Sequence, residues 1–495
     1  MKVSVTDDAA KELATASREY QTSSPKPGWV EQDPADWWKA LVACCGEIKE
    51  TAPGVLEKVD GVSLCGQMHT QVLLDSGGEV VRPAITWMDQ RSADVVAEIT
   101  GRKGQGELIV SETQNQLTTT YTAAHLAWIQ RQEPEAWQRV SKVLVAKDYL
   151  KYLLTGAEAI DYSEASGTLL FNNETETWSD RMLELFDVPR EVLPDVAESN
   201  VVIGEITEAA AEKTHLRPGV KVVNGSTDNS AAALGAGMVT PGEAALIIGT
   251  AGVVSVCSDR PLPDPEFRTL SWHYCLPGRW INLGVTQTAG ESLNWFKSAF
   301  DGGRPDASSG DIFAEYNREI AAIPDGSEGL VFLPYLNGER TPHWDTSARG
   351  VFFGLGLGHR KAHFIKAIME GVSFALRNCV ESVEDLGTHV REFRAVGGGL
   401  KSPIWRTSLA RIMGRPINTV KRPDTGNIGN AMLAGMALGV FSDPEHAASA
   451  MVEQGERMHE ETPAVYDAIY RIYTRLYSSV KGDFAALQQS LEDDE

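Results

Sequence analysis

Val222-Val223-Asn224-Gly225-Ser226-Thr227-Asp228-Asn229, running on into Ser230-Ala231-Ala232-Ala233-Leu234, decides the fold. A short apolar run gives way to small and polar residues, then to an alanine-rich helical pattern. This is a strand that becomes a helix, the building unit of α/β proteins. Open α/β sheets bind their ligands at such strand ends. A carboxylate at the switch could take a proton from a hydroxyl while that hydroxyl attacks a phosphoryl group. Asp is also a favoured helix N-cap, so Asp228 carries a structural reading beside the chemical one.

Two more glycine-bearing strand ends lie downstream. Residues 245–256 run strand, tight turn, strand, with Gly249-Thr250-Ala251-Gly252 at the turn. Small residues there let backbone amides approach an anion, and Thr250 adds a hydroxyl donor; an ordinary hairpin turn is the plainer reading. Gly397-Gly398-Gly399 follows the strand pattern at 393–396 and precedes Lys401-Ser402-Pro403-Ile404. Three glycines at a strand-to-helix switch suit a nucleotide lying across the backbone near a helix start. A flexible loop with Ser402 as N-cap and Pro403 at the first helical position is the alternative.

Further out, strand patterns at 59–65 and 220–223 alternate with helical ones at 362–376, 404–413, 428–438 and 464–487. The Pro-Gly turn within residues 238–243 falls near the midpoint and divides the chain into domains 1–238 and 239–495. A length of 495 residues calls for two large cores. There is no G-x-x-x-x-G-K-[ST] loop and no H-R-D or D-F-G set, so P-loop and protein-kinase chemistry are excluded.

Composition narrows the function class. With 45 Lys+Arg against 68 Asp+Glu the net charge is −23, a surface that repels nucleic acid and anionic membranes. Neutral small molecules suit it, and a local nest of amides can still hold phosphates. No run of eighteen apolar residues and no apolar leader point to a cytoplasmic protein. The six cysteines form no C-x-x-C pair, which fits a reduced compartment.

A sugar pocket is suggested by Gly66-Gln67-Met68-His69 after the strand at 59–65. Gln67 and His69 could bond hydroxyls while Met68 covers an apolar sugar face. Trp87-Met88-Asp89-Gln90-Arg91 adds an aromatic and two opposite charges. A satisfied structural histidine and a core tryptophan are the plainer readings of His69 and Trp87.

Taken in order, these segments resemble the FGGY family of carbohydrate kinases, nearest its xylulokinases. Pro27-Gly28-Trp29-Val30-Glu31-Gln32-Asp33-Pro34, the Gly66–His69 stretch, Asn224–Asn229, Gly249–Gly252, Leu333-Pro334-Tyr335-Leu336-Asn337-Gly338-Glu339-Arg340-Thr341-Pro342 and Gly397–Gly399 carry the likeness nearly end to end. The resemblance implies two ribonuclease-H-like domains, as in actin and hexokinase, around a central cleft. It implies ATP-dependent phosphorylation of a sugar hydroxyl, with D-xylulose the first choice. Asp228 would be the catalytic base. Met68, His69, Asp228 and Asn229 would contact the sugar. Gly249, Thr250, Trp295, Gly398, Gly399 and Ser402 would surround ATP, with Mg²⁺ accompanying it through ligands left unassigned. A homodimer is a further expectation.

The pattern also breaks. The family's opening D-x-G-T turn is absent, and Met1-Lys2-Val3-Ser4-Val5 reads as the second strand of its first hairpin, with Lys2 matching a family Lys. The expectation is that the natural start lies upstream of Met1 and that the chain as given turns over weakly. Thr70 and Met88 stand where xylulokinases often have Gly and Asn. A kinase for ribulose, gluconate or erythritol therefore stays open, as does a non-catalytic sugar- or nucleotide-binding relative.

Overall fold

The computed structural model describes residues 1–302 and 312–492. The first half begins with a hairpin, β1 (Lys2–Thr6) paired antiparallel with β2 (Glu12–Ser17). The strand expected across 59–65 is broken into β3 (Gly61–Val62) and β4 (Cys65–Gly66). Each piece finds its own parallel partner. β3 pairs with β5 (Lys221–Val223), and β4 pairs with β6 (Ser226–Thr227). Gly225, at φ 75°, makes the break, because a side chain there would strike the Leu64 carbonyl at 2.0 Å. The helix α1 (Ala146–Thr155) and the short helix α2 (Tyr162–Ser166) lie against these strands, and α3 (Asp228–Gly235) leaves β6 directly.

The second half holds a seven-stranded sheet. Its strands are β7 (Glu243–Ile248), β8 (Gly252–Ser258), β9 (Leu270–His273), β10 (Trp280–Thr286), β11 (Glu392–Val396), β12 (Ile417–Val420) and β13 (Gln454–Met458). The spatial order is β9-β10-β8-β7-β11-β12-β13. β7, β11 and β12 run parallel and the remaining pairs antiparallel. β7 is buried along nearly its whole length, as a central strand covered on both faces should be. Among the helices of this half are α4 (Gly290–Phe300), α5 (Lys361–Glu384), α6 (Pro403–Met413), α7 (Thr425–Ala437) and α8 (Ala464–Glu492). The helical patterns read at 362–376, 404–413 and 464–487 fall within three of them, and the one at 428–438 overruns α7 by a single residue.

The halves are joined as well as apposed. One apolar cluster takes Leu73, Ile129 and Phe171 from the first half and Cys257, Trp272 and Ile281 from the second. α3 and α7 cross with their backbones nearly touching. A side chain at Gly235 would meet the Thr425 carbonyl at 1.8 Å, and one at Gly429 the Ala231 carbonyl at 2.0 Å. With its amide oriented so that both ends are satisfied, Asn430 of α7 bonds the Leu64 carbonyl and the Cys65 amide of the first half.

Candidate active site

Asp228 sits where β6 gives way to α3. The capping role expected of it falls to Thr227, whose hydroxyl accepts from the Ser230 amide at 3.3 Å. Asp228 is instead the first helical residue, and its Oδ1 accepts from the Asn229 amide at 2.7 Å. The side chain reaches solvent although much protein stands close around it. That enclosure pushes its carboxyl up to about 6, against the downward pull of local amides. A carboxylate with this poise is suited to accepting a proton near neutral pH.

Because β4 pairs with β6 in register, Thr227 opposite Gly66, the Met68–His69 loop emerges beside Asp228. Met68 and His69 are both 6% exposed. His69 Nδ1 lies 2.5 Å from the Gly167 carbonyl, which can only accept. The proton is therefore on Nδ1, and Nε2 is left as an acceptor. Burial pushes the His69 pKa down to about 4, so the ring is neutral. Tyr121 stands edge-on to it at 4.8 Å, and Trp272 from the second half tilts against it at 5.9 Å. Asn229 is half-buried, with its side chain unpartnered among the described residues.

Two expectations for this pocket are corrected, those for the Asp89–Arg91 charges and for Trp87. Gln67 donates to Gln32 at 2.7 Å, which ties its amide nitrogen to the scaffold. Asp89 and Arg91 form a buried bidentate pair, with Arg91 also on Glu31 and stacked over Trp29, so their charges are internally matched. Trp87 is 36% exposed and is no core residue. Thr70, the departure from Gly, is fully buried with its hydroxyl on the Met68 carbonyl, while Met88 lies exposed.

Behind the pocket is a buried ionic cluster that the sequence reading missed. Lys147 Nζ lies 2.6 Å from Asp148 and 2.7 Å from Asp161, and Lys151 lies 2.8 Å from Asp148. Lys147 donates to the Asn224 carbonyl at 3.3 Å, and Lys151 to the Asn224 side chain. Asp161 receives Ser199 at 2.9 Å and also Ser163, whose Oγ accepts from the Thr227 amide at 3.1 Å. Lys147 also packs under Gly66, where an added Cβ would meet its own at 3.0 Å. One cluster thus fixes both loops that meet at Asp228. Glu164 lies beside it, with both oxygens buried and unpartnered. Desolvation holds its pKa far above the carboxylate range, so it is a neutral acid.

The second half supplies the anion-binding elements. β7 and β11 are adjacent and parallel, with Ile247 opposite Val396, so Gly249-Thr250 and Gly397–Gly399 emerge side by side at strand ends. Gly397, at φ 119°, lies on Ile248, whose carbonyl an added Cβ would strike at 2.4 Å. Gly398 faces open space. Among the described residues, the amides of Thr250, Ala251, Gly398 and Gly399 donate to no protein acceptor. Such a group of free donors fits the phosphates of a nucleotide. Ser402 caps α6 through the Trp405 amide at 3.1 Å and donates to Asn317 at 2.5 Å, so the capping reading holds for it. Trp295 is half-buried on α4, and at its start the Ala289 amide bonds the Thr250 carbonyl and the Gly290 amide the Gly249 carbonyl, both at 2.8 Å. The structure thus groups Met68, His69, Asp228 and Asn229 on one side and Gly249, Thr250, Gly398, Gly399, Ser402 and Trp295 on the other.

A carboxylate beside Met68 and His69 at a strand end of one half, and free amides at strand ends of the other, are elements that a carbohydrate kinase uses. The chain belongs to the FGGY family of carbohydrate kinases, whose N-terminal domain matches residues 1–235 and whose C-terminal domain matches 244–438. It is 35% identical to the xylulose kinase of Lactococcus lactis over 96% of this chain and 93% of that one. The solved xylulose kinase of Rhodospirillum rubrum is 32% identical, with a TM-score of 0.88 over 96% of both chains. A gluconate kinase from Lactobacillus acidophilus superposes with a TM-score of 0.91 at 26% identity, over 98% of this chain and 97% of that one.

Proposed function

We propose that this chain transfers the terminal phosphoryl group of ATP to D-xylulose, forming D-xylulose 5-phosphate, with Asp228 as the base. The observation that carries this reading is Asp228 itself, a solvent-reaching carboxylate poised at about 6 beside Met68 and His69. The sugar hydroxyl gives its proton to Asp228 as it attacks. His69 Nε2 accepts from another hydroxyl, and Met68 covers an apolar face of the sugar. ATP supplies the phosphoryl group when bound, its phosphates held by the amides of Thr250, Ala251, Gly398 and Gly399. Trp295 and Ser402 lie toward the nucleoside. Among the described residues, no cluster of three or more His, Cys, Asp or Glu side chains forms a metal cage. Mg²⁺ would accompany ATP and offset charge on its phosphates. Closure of the two halves over the bound ligands would keep water from the phosphoryl group. The division into domains 1–238 and 239–495 places the base in one and the phosphate loops in the other.

The choice of xylulose rests on the 30–35% identical relatives that carry that name. The gluconate kinase neighbour makes another sugar acid or polyol the competing reading. ADP release over D-xylulose, D-ribulose, D-gluconate and erythritol tests both. D-xylulose should give the highest kcat/KM, and Asp228→Ala should lower it by roughly 10²- to 10⁴-fold. Turnover that survives Asp228→Ala contradicts the assignment of the base. Sugar binding without ADP release by the wild type would favour a non-catalytic relative.

A further inference from the structure

The turn that offers free amides does not hold its own shape. Gly249-Thr250-Ala251-Gly252 links β7 to β8, and among the described residues its one internal main-chain bond runs from the Gly249 amide to the Ala251 carbonyl, at 3.1 Å. Its other support is the segment at 286–290, where β10 ends and α4 begins. The Ala289 amide donates to the Thr250 carbonyl and the Gly290 amide to the Gly249 carbonyl. In a trans peptide the carbonyl and the N–H that follows it point opposite ways. Drawing the Gly249 and Thr250 carbonyls toward 289–290 therefore turns the Thr250 and Ala251 amides away from it, and these are the two left without a protein acceptor. The contact is close. A side chain at Gly290 would strike the Gly249 carbonyl at 2.6 Å, and one at Gly252 the Thr286 methyl at 2.6 Å.

The 286–290 segment is held in its turn by Glu339, which is buried. Its Oε2 accepts from the Thr286 hydroxyl at 2.7 Å, and its Oε1 accepts from the Gln287 amide at 2.8 Å. The same Oε1 accepts from the Arg340 amide at 2.7 Å. The loop that carries Glu339 is anchored separately. Its amide and carbonyl both bond Asp345 at 2.9 Å, and the Thr341 amide bonds the Val285 carbonyl at 2.9 Å. Removing the carboxylate would leave two amides and a hydroxyl without their acceptor and free the segment behind the turn. All three bonds are internal to the protein, so Glu339 acts on a ligand through the turn.

We propose that Glu339 is a positioning residue for ATP. Through Thr286 and Gln287 it holds the 286–290 segment, and through that segment it aims the Thr250 and Ala251 amides at the phosphates. This deepens the sugar-kinase reading and rests on it.

The test compares wild type, Glu339→Ala, Glu339→Gln and Thr286→Val. Each is assayed with varied ATP and D-xylulose, and each ligand alone is titrated by calorimetry. Glu339→Ala should raise KM for ATP roughly 10- to 100-fold and leave the affinity for D-xylulose near wild type. Glu339→Gln should recover most of that loss. Its Oε1 still accepts from both amides, and its Nε2 donates to the Thr286 hydroxyl, which can turn to accept. Thr286→Val removes one of the three bonds and should raise KM for ATP by less than Glu339→Ala. An unchanged KM for ATP in Glu339→Ala overturns the proposal. So does an equal loss of D-xylulose affinity, which would mark a general loosening of the fold, and so does a Gln variant no better than the Ala one. If Glu339→Ala fails to fold, as judged by thermal melting, Thr286→Val decides by the same split between ATP and sugar. Titration keeps the two readings apart. ATP binding weakened by Glu339→Ala, in a chain whose wild type transfers no phosphate, supports Glu339 and overturns only the catalytic reading. A wild type that binds no ATP overturns both.

Discussion

Asp228 is pulled two ways, toward its neutral form by enclosure and toward its charged form by the Asn229 amide. A base must be ionised to accept a proton, so kcat/KM for the sugar should rise with pH through about 6. A pH–rate profile that is flat from about pH 5 to 8 would contradict this. Stability runs the opposite way. The folded pKa of about 6 lies above the ordinary 3.8, so the folded state holds this proton the more tightly. The resulting stabilisation is complete below about 3.8 and is lost as pH rises through about 6. Asp228→Asn should therefore melt higher than wild type at pH 7.5 while losing turnover, and a lower melting temperature would contradict the sign. The sequence placed this carboxylate at a strand-to-helix switch but could not separate base from cap. Thr227 and Asp228 are adjacent cap formers, and only backbone geometry shows that Thr227 takes the role.

Between elements, two contacts set the site. The first is the Lys147–Asp148–Asp161–Lys151 cluster, which ties α1 and α2 to the loops at 64–66 and 224–227. Lys147→Met would leave Asp161 buried without its cation, at a cost of about 3–5 kcal/mol. The check is chemical denaturation, where the midpoint should fall sharply with the slope unchanged. The second is the α3–α7 crossing. Gly429→Ala would put a methyl 2.0 Å from the Ala231 carbonyl, too close for a flexible neighbour to yield. It should lower stability by about 1–3 kcal/mol and reduce kcat/KM, because α3 carries Asp228. Wild-type melting and turnover in that variant would show that the helices can part freely. Neither contact was legible beforehand. Each joins residues far apart in the chain, whereas the strand ends were readable because turn chemistry is local. The broken strand at 59–65 has the same cause, since its two pieces follow different partners.

At the scale of the whole molecule, strand–helix alternation and length gave the two-domain α/β class correctly. They did not foresee how unlike the halves' sheets are. The second has seven continuous strands, while the first is assembled from two- and three-stranded pieces. Nor did they foresee the apolar cluster shared across the midpoint, since core membership depends on how the halves dock. The glycine crossing of α3 and α7 bears on how the two lobes move. Helices that touch main chain to main chain have no side chains between them to re-choose rotamers, so sliding along the seam is blocked while rocking about it is not. Asp228 lies seven residues from Gly235 on the same helix, about 10 Å from that pivot, and a short lever arm means small displacement. Spin labels on the two lobes should therefore record nucleotide-driven approach at the outer rims, with the distance across the 235–429 crossing unchanged.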